Sequence, residues 1–454
     1  MLNTYPGEIM DILYLAHRIP FPPDKGDKLR SFRQLEHLAK HYRVWCACFV
    51  DKAADEKYVD LLSAYCHQVV AIRLQRAPAA LHGLGGLLRG RSITESFYSH
   101  RRMTLALNRW AKAARFDVVV AFSSSMARYA LHVPTNRRVL DLCDLDSRKW
   151  LDYAAASRFP LRGIYAAEGA RLAVREHDWL NAFDTTILIT EAEAALLGNV
   201  VPAGRIQIVG NGVSLPDLTA AKQNDGKSHE AVPYPDNGIR RLNAFNDVAL
   251  AGPVVGFVGT MDYRPNVDAA CWFVENCWAG IRAACPECTF RIVGRAPTRR
   301  VQRLGRVPGV EVVGEVTNMP VEVQRFMVSV APMRIARGLQ NKVLEAMAAA
   351  KPVVLSKRAC EGIYGSHNQE YVVANTPEET TAAVVRLLKN ARERERIGRA
   401  ARRYVAAHHC WEWELQKFEL LVVGQLGPVS RSLLPKATSS MSARRPRLAG
   451  VLAG

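Results

Sequence analysis

Residues 331–355, APMRIARGLQNKVLEAMAAAKPVVL, carry the pattern that decides the fold. A strand-like run ends at Pro332, and a basic loop containing Gly338 follows. A helical pattern then starts near Gln340 or Asn341 and runs to Ala349, before the next strand-like run, Pro352–Leu355. Strand, helix and strand joined by short loops form the repeating unit of a parallel sheet covered by helices on both faces. The same alternation extends outward on both sides. Upstream lie strand Val254–Val258, helix Val267–Ala284, strands Thr289–Val293 and Val310–Val313, helix Val321–Phe326 and strand Val328–Ala331. Downstream, helices Glu378–Lys389 and Arg392–His408 close the series.

A second series occupies the N-terminal half. Its strands are Ile9–Ala16, Val44–Val50, Val69–Leu74, Asp117–Phe122, Arg138–Leu142, Thr185–Thr190 and Arg205–Val209. Helices are expected at Leu29–Tyr42, Glu56–His67, Leu105–Ala114, Ile164–Phe183 and Glu191–Leu197. Between the two series, residues 218–247 are polar and lack a sustained period, which reads as linker. The expectation is an α/β protein with two Rossmann-like domains facing across a cleft: residues 9–215, a linker over 216–250, and residues 251–427. The last helix is a candidate to pack back on the first domain. Residues 428–454 are rich in Pro, Ser and Arg and read as a disordered basic tail.

Composition narrows the function. Of 454 residues, 49% are hydrophobic, enough to fill cores and to exclude a mainly disordered chain. No apolar run is long enough to span a bilayer and the start has no secretory pattern, so a cytoplasmic protein is expected. Lys and Arg exceed Asp and Glu by 61 to 43, but the excess is spread along the chain without a basic–aromatic stripe. Nucleic-acid binding is therefore not expected. The ten cysteines fit a reducing compartment, and Cys285–Cys288 lacks the second pair that a zinc site needs.

The start of the 341–349 helix is the chemically pointed place. Helix N-termini present free N–H groups and a positive dipole end, which favour an anion. Lys342 in the first turn opposes that dipole unless an anion is present, and Glu345 at i+3 shares its face. A diphosphate on Lys342 and ribose hydroxyls on Glu345 fit this spacing, as does an ordinary solvated Lys–Glu pair.

NKVLEAMAAAKPVV resembles the donor-site helix of GT-B glycosyltransferases of family 4. RIPFPPDKGDKLRS (18–31), AFSSSMARY (121–129), DLCDLDSRKW (141–150), VGNGV (209–213), GFVGTMDYRPNVDA (256–269) and IVGRAP (292–297) resemble the same family, in order. Together they look most like the sugar transferases associated with PEP-CTERM/exosortase exopolysaccharide loci. The resemblance covers about residues 10–420. It implies a retaining enzyme of the hexosyltransferase type that takes a nucleoside-diphosphate sugar to a glycan or polyprenyl-linked glycan acceptor. It implies no cofactor and no metal, and it suits peripheral contact with the inner face of the cell membrane.

The resemblance assigns Lys342 to phosphate and Glu345 to ribose. Arg337 stands where many members carry a sugar-binding Glu, and its charge suits the diphosphate instead. Gly259 would end a strand beneath the donor loop Thr260–Asn266, in which Arg264 is the one basic residue. Asn266, Arg295, Gly338 and Glu361 complete the expected donor side. On the other domain, Lys25, Gly26, Asp27, Lys28 and Arg30 stand where the family has a turn approaching phosphate or acceptor. Gly26 would allow close backbone approach, the cations would face phosphate, and Asp27 also suits a helix N-cap. Cys143 stands where many relatives carry a His that contacts the donor sugar, which weakens transfer of that role, and Asp144 beside it is a candidate for sugar or acceptor hydroxyls. The chemistry expected is departure of the nucleoside diphosphate, stabilised by Lys342, Arg337 and the helix N-terminus, with front-side attack. A nucleotide-sugar epimerase or hydrolase, and an inactive nucleotide-sugar-binding scaffold, are the alternatives.

Overall fold

A computed structural model describes residues 9–23, 26–75, 79, 83, 85–87, 89–197, 204–216, 252–336 and 338–425. Most of the expected linker and the tail from 428 lie outside the described residues, as do Lys25 and Arg337.

Seven strands form the first sheet: β1 (Asp11–Ala16), β2 (Arg43–Val50), β3 (Gln68–Arg73), β4 (Phe116–Phe122), β5 (Thr135–Cys143), β6 (Thr185–Leu188) and β7 (Ile206–Ile208), in spatial order β3-β2-β1-β4-β5-β6-β7. The second sheet holds β8 (Val254–Val258), β9 (Thr289–Val293), β10 (Val310–Gly314), β11 (Val328–Ala331), β12 (Val353–Leu355) and β13 (Val372–Val373), in order β10-β9-β8-β11-β12-β13. All pairings are parallel. The helices that place the site are α1 (Gly26–Leu38), α2 (Asp146–Ala155), α3 (Leu161–Ala182), α4 (Arg264–Phe273), α5 (Asn341–Ala348), α6 (Ala391–His408) and α7 (Trp411–Val422).

Every residue of β1 and of β8 is buried, because helices cover both faces of a parallel sheet. Alternation sorts the side chains: Leu13, Leu15, Ala47 and Phe49 enter one apolar core, and Ile12, Tyr14, Cys46 and Cys48 the other. Phe418, Leu421 and Val422 of α7 belong to that second core, so the last helix packs on the first domain. Glu419 fixes it there, accepting from Tyr42 Oη at 2.9 Å and pairing with His37 at 2.7 Å and His41 at 3.0 Å.

In each sheet the strand order reverses beside the first strand, β1 next to β4 and β8 next to β11. Ligands of open parallel sheets sit beyond the carboxyl ends of the strands at such a switch point. The loops after β1, β4 and β5 and those after β8, β9 and β11 therefore rim one interdomain cleft.

Several elements differ from the sequence expectation. The helix expected at Val267 starts at Arg264, because Pro265 suits a first helical turn, and a π-helical turn over Val274–Trp278 interrupts it. Helix α2 went unread. Its N-cap residue, Leu145, has no capping side chain, and distant carboxylates serve instead. Glu193 accepts from Leu145 N at 3.0 Å, and Glu176 accepts from Ser147 N at 2.9 Å. Glu168 does the same for the helix at 93–97, accepting from the backbone N–H of Ile93 and Thr94.

Candidate active site

The loop after β11 reaches α5 through Gly338, whose φ of +59° lies in the left-handed region. The N-cap residue, Gln340, makes no side-chain cap, and the first turn of α5 holds no acid. An uncapped helix start with Lys342 in its first turn suits an anion. Lys342 Nζ lies 4.9 Å from the centre of the Phe257 ring and donates to Asn266 Oδ1. Burial lowers its pKa to about 7, with the Glu345 carboxylate pulling the other way. Glu345 is raised to about 7, also by burial, with Lys342 opposing. An anion placed beside Lys342 would restore its charge.

Asn266 is buried and also donates from Nδ2 to Thr260 O at 3.0 Å, tying the loop after β8 to Lys342. A Cβ on Gly259 would lie 2.6 Å from Asn266 Nδ2, and one on Gly294 would lie 1.8 Å from Gly259 O. The two glycines thus allow the loops after β8 and β9 to close on each other, and Arg295 O accepts from Met261 N at 2.9 Å. Glu361 lies in the loop after β12, next to Gly362, whose Cβ would meet Thr190 of the first domain at 2.6 Å.

Asp144 approaches from the first domain. Cys143 before it has φ +62°, and Ser123 at the end of β4 has φ +80°. Non-glycine residues held in that region at two adjacent strand ends are local strain of the kind that clusters at functional sites. The turn aims Asp144 across the cleft: Oδ1 would lie 2.3 Å from a Cβ on Gly338. Oδ1 is buried and lacks a hydrogen-bond partner among the described residues. Burial first, then Glu193, raises this carboxyl to about 7, with Lys149 opposing.

Other expected residues take different places. Arg30, expected to face phosphate, is 1% exposed. It donates to Asp141 at 2.9 Å, Gly210 O at 2.8 Å and Asn211 Oδ1 at 3.0 Å, because its face of α1 turns into the sheet. Lys28 is likewise committed to Asp55 at 2.8 Å. Asp27 sits within the first turn of α1, not at a cap, and accepts from Arg18 at 2.8 Å. Arg264 is an interdomain strut, donating to Ala156 O at 2.8 Å and lying over the Tyr153 ring. Gly26 does permit a close approach, but to Asn341: its Cβ would be 3.1 Å from Asn341 Nδ2.

Two features were missed from sequence. Asn211 Nδ2 donates to Asn341 Oδ1 at 3.0 Å, so a polar chain runs from Asp141 through Arg30 and Asn211 to the first residue of α5. The VGNGV run was the only signal for it. The second is a cavity of about 80 Å³ between the domains, lined by Asp144, Lys149, Tyr153, Tyr263 and Gln340 among others. Gln340 joins it to the start of α5.

Residues 252–390 match the family model described as "Glycosyl transferases group 1". No curated protein sequence matches the chain. Among solved structures, it is similar to Alr3699/HepE from Anabaena, in complex with UDP and glucose, at 15% identity and TM-score 0.61, covering 92% of this chain and 100% of that one. It is similar to a sucrose-phosphate synthase from Thermosynechococcus elongatus at 17% identity and TM-score 0.62, covering 91% and 98%. A third is WaaG, a glycosyltransferase involved in lipopolysaccharide biosynthesis, at 14% identity and TM-score 0.59, covering 91% and 100%. The protein has the two-domain GT-B fold, and the stretch that matches the group 1 glycosyl transferase model lies in its second domain.

Proposed function

We propose that the protein is a retaining glycosyltransferase of the hexosyltransferase type. It moves a sugar from a nucleoside-diphosphate sugar to a glycan or polyprenyl-linked glycan, in exopolysaccharide synthesis at the cytoplasmic face of the membrane. The observation that carries this is Lys342 in the first turn of an uncapped helix at the switch point of the second sheet. The diphosphate lies on that helix start and the ribose on Glu345. As the glycosidic bond to phosphate breaks, negative charge grows on the leaving diphosphate, where Lys342 and the N–H groups of α5 stabilise it. Asp144, across from Gly338, meets a sugar or acceptor hydroxyl. The acceptor attacks from the face the diphosphate leaves, and its proton passes to the departing phosphate. Arg337 adds to the cationic environment. The UDP and glucose bound in the Anabaena structure favour a uridine donor.

The test is acceptor dependence. With a polyprenyl-linked glycan added, the protein should release nucleoside diphosphate, and without acceptor it should release almost none. Release without acceptor means a hydrolase, interconversion of the donor sugar means an epimerase, and donor binding without release means a scaffold. Glu345→Ala should weaken binding of the nucleoside part; an unchanged donor dissociation constant would remove its ribose role.

A further inference from the structure

The hairpin joining α2 to α3 ends in Arg158-Phe159-Pro160-Leu161-Arg162. Phe159 is 89% exposed, the most exposed large apolar side chain among the described residues, and Leu161 is 49% exposed. Arg158 and Arg162 are exposed on either side, and no acid occurs between them or in the next five residues. The base beneath the tip is firmly built. Gly169 lets α3 touch Leu151 of α2, where a Cβ would lie 2.8 Å from Leu151 Cγ, and Trp150 and Tyr165 pack with ring centres 5.3 Å apart.

An aromatic and an aliphatic side chain projecting together from a tip on a packed base match an apolar phase, and flanking arginines match an anionic surface above it. The two conditions meet in the headgroup region of an anionic bilayer. Position agrees with this. The same helix α2 carries Lys149 and Tyr153 to the interdomain cavity, and Arg264 of the second domain donates to Ala156 O just before the tip. We propose that residues 158–162 are a membrane-interface wedge that seats the mouth of the cleft on an anionic bilayer. This rests on the lipid-linked acceptor proposed above, and it assigns the surface that meets the lipid.

The test uses the full chain and sedimentation with vesicles of phosphatidylcholine alone or with about one third phosphatidylglycerol. Wild type should bind the anionic vesicles, more weakly as salt rises. Phe159→Ser should lose roughly 10–100-fold in affinity, and Arg158→Ala or Arg162→Ala about fivefold each. A Phe159→Trp variant should shift its emission to the blue on anionic vesicles. Wild type that fails to bind, Phe159→Ser that binds as well as wild type, or equal binding to neutral vesicles would overturn the proposal. Nucleotide-induced thermal stabilisation, measured on the same preparations, should be equal in wild type and Phe159→Ser. If both lack stabilisation while vesicle binding follows the pattern above, the wedge stands and the transferase reading fails.

Discussion

At the residue scale, the cleft is built from side chains whose charge depends on what surrounds them. Asp144 shows it best. Its carboxyl is raised from 3.8 to about 7, so the folded chain binds a proton there that the unfolded chain has already released. Stability from this group is complete below about 3.8 and is lost as pH rises through about 7. Asp144→Asn removes that dependence. The unfolding free energy of the variant relative to wild type, measured in urea, should therefore climb between pH 5 and pH 8 by an amount on the order of 1–3 kcal/mol. A constant difference across that range would contradict a raised Asp144. Arg30 makes the opposite case, a charge fully committed inside the fold. Burial alone would lower its pKa, and Asp141, with Cys143 and Glu414, more than offsets it. Arg30→Ala should destabilise by about 3–5 kcal/mol, because it strands Asp141. Pairing Arg30→Met with Asp141→Leu should recover part of that in urea unfolding. Sequence gave Arg30 the wrong partner because nothing local marks Asp141, 111 residues away, as its counter-charge.

At the element scale, strands and most helices were legible, since period and burial agree where a parallel sheet is covered on both faces. The segment from β11 to α5 was read nearly to the residue. The unread start of α2 has a physical cause. Helix α2 is capped by Glu176 and Glu193, 29 and 48 residues from the atoms they receive. A capping signature exists in sequence only when the cap is local. The loop before α5 carries its own test. Gly338→Ala would place a side chain in the left-handed region and against Asp144 Oδ1. It should cost about 1–2 kcal/mol in stability and weaken donor binding more than Asp144→Asn does. Equal donor affinity in Gly338→Ala and wild type would show that this turn does not shape the site.

At the scale of the whole molecule, the two-domain plan and the return of the last helix to the first domain followed from the sequence pattern, but the polar contacts between the runs did not. The Arg30–Asn211–Asn341 chain, the Arg264 strut and the packing of α7 on the first domain all join residues more than a hundred positions apart. They draw the domains together around a cavity of about 80 Å³. A strut that holds the domains together would slow donor entry into the cleft. Arg264→Ala, which removes one strut, should raise the rate of donor association in stopped-flow measurements; an unchanged rate would argue that the strut does not gate entry. Glu419 tests the attachment of α7. Its pKa is lowered because Tyr42, His37 and His41 together outweigh burial, which acts the other way. Stability from this group is present above about 4.5 and lost as pH falls through the lowered value. Glu419→Gln should therefore be less stable than wild type at pH 7, with the gap closing in acid. The central claim is that the start of α5 holds a nucleoside diphosphate, and thermal stabilisation by UDP-, GDP-, dTDP- and CMP-sugars tests it most directly. One donor class should stabilise wild type, and Lys342→Ala, losing a charge-assisted contact of about 1.5–3 kcal/mol, should bind it roughly 10–150-fold more weakly. A folded wild type that no nucleotide stabilises, or a Lys342→Ala variant stabilised as well as wild type, would contradict the account.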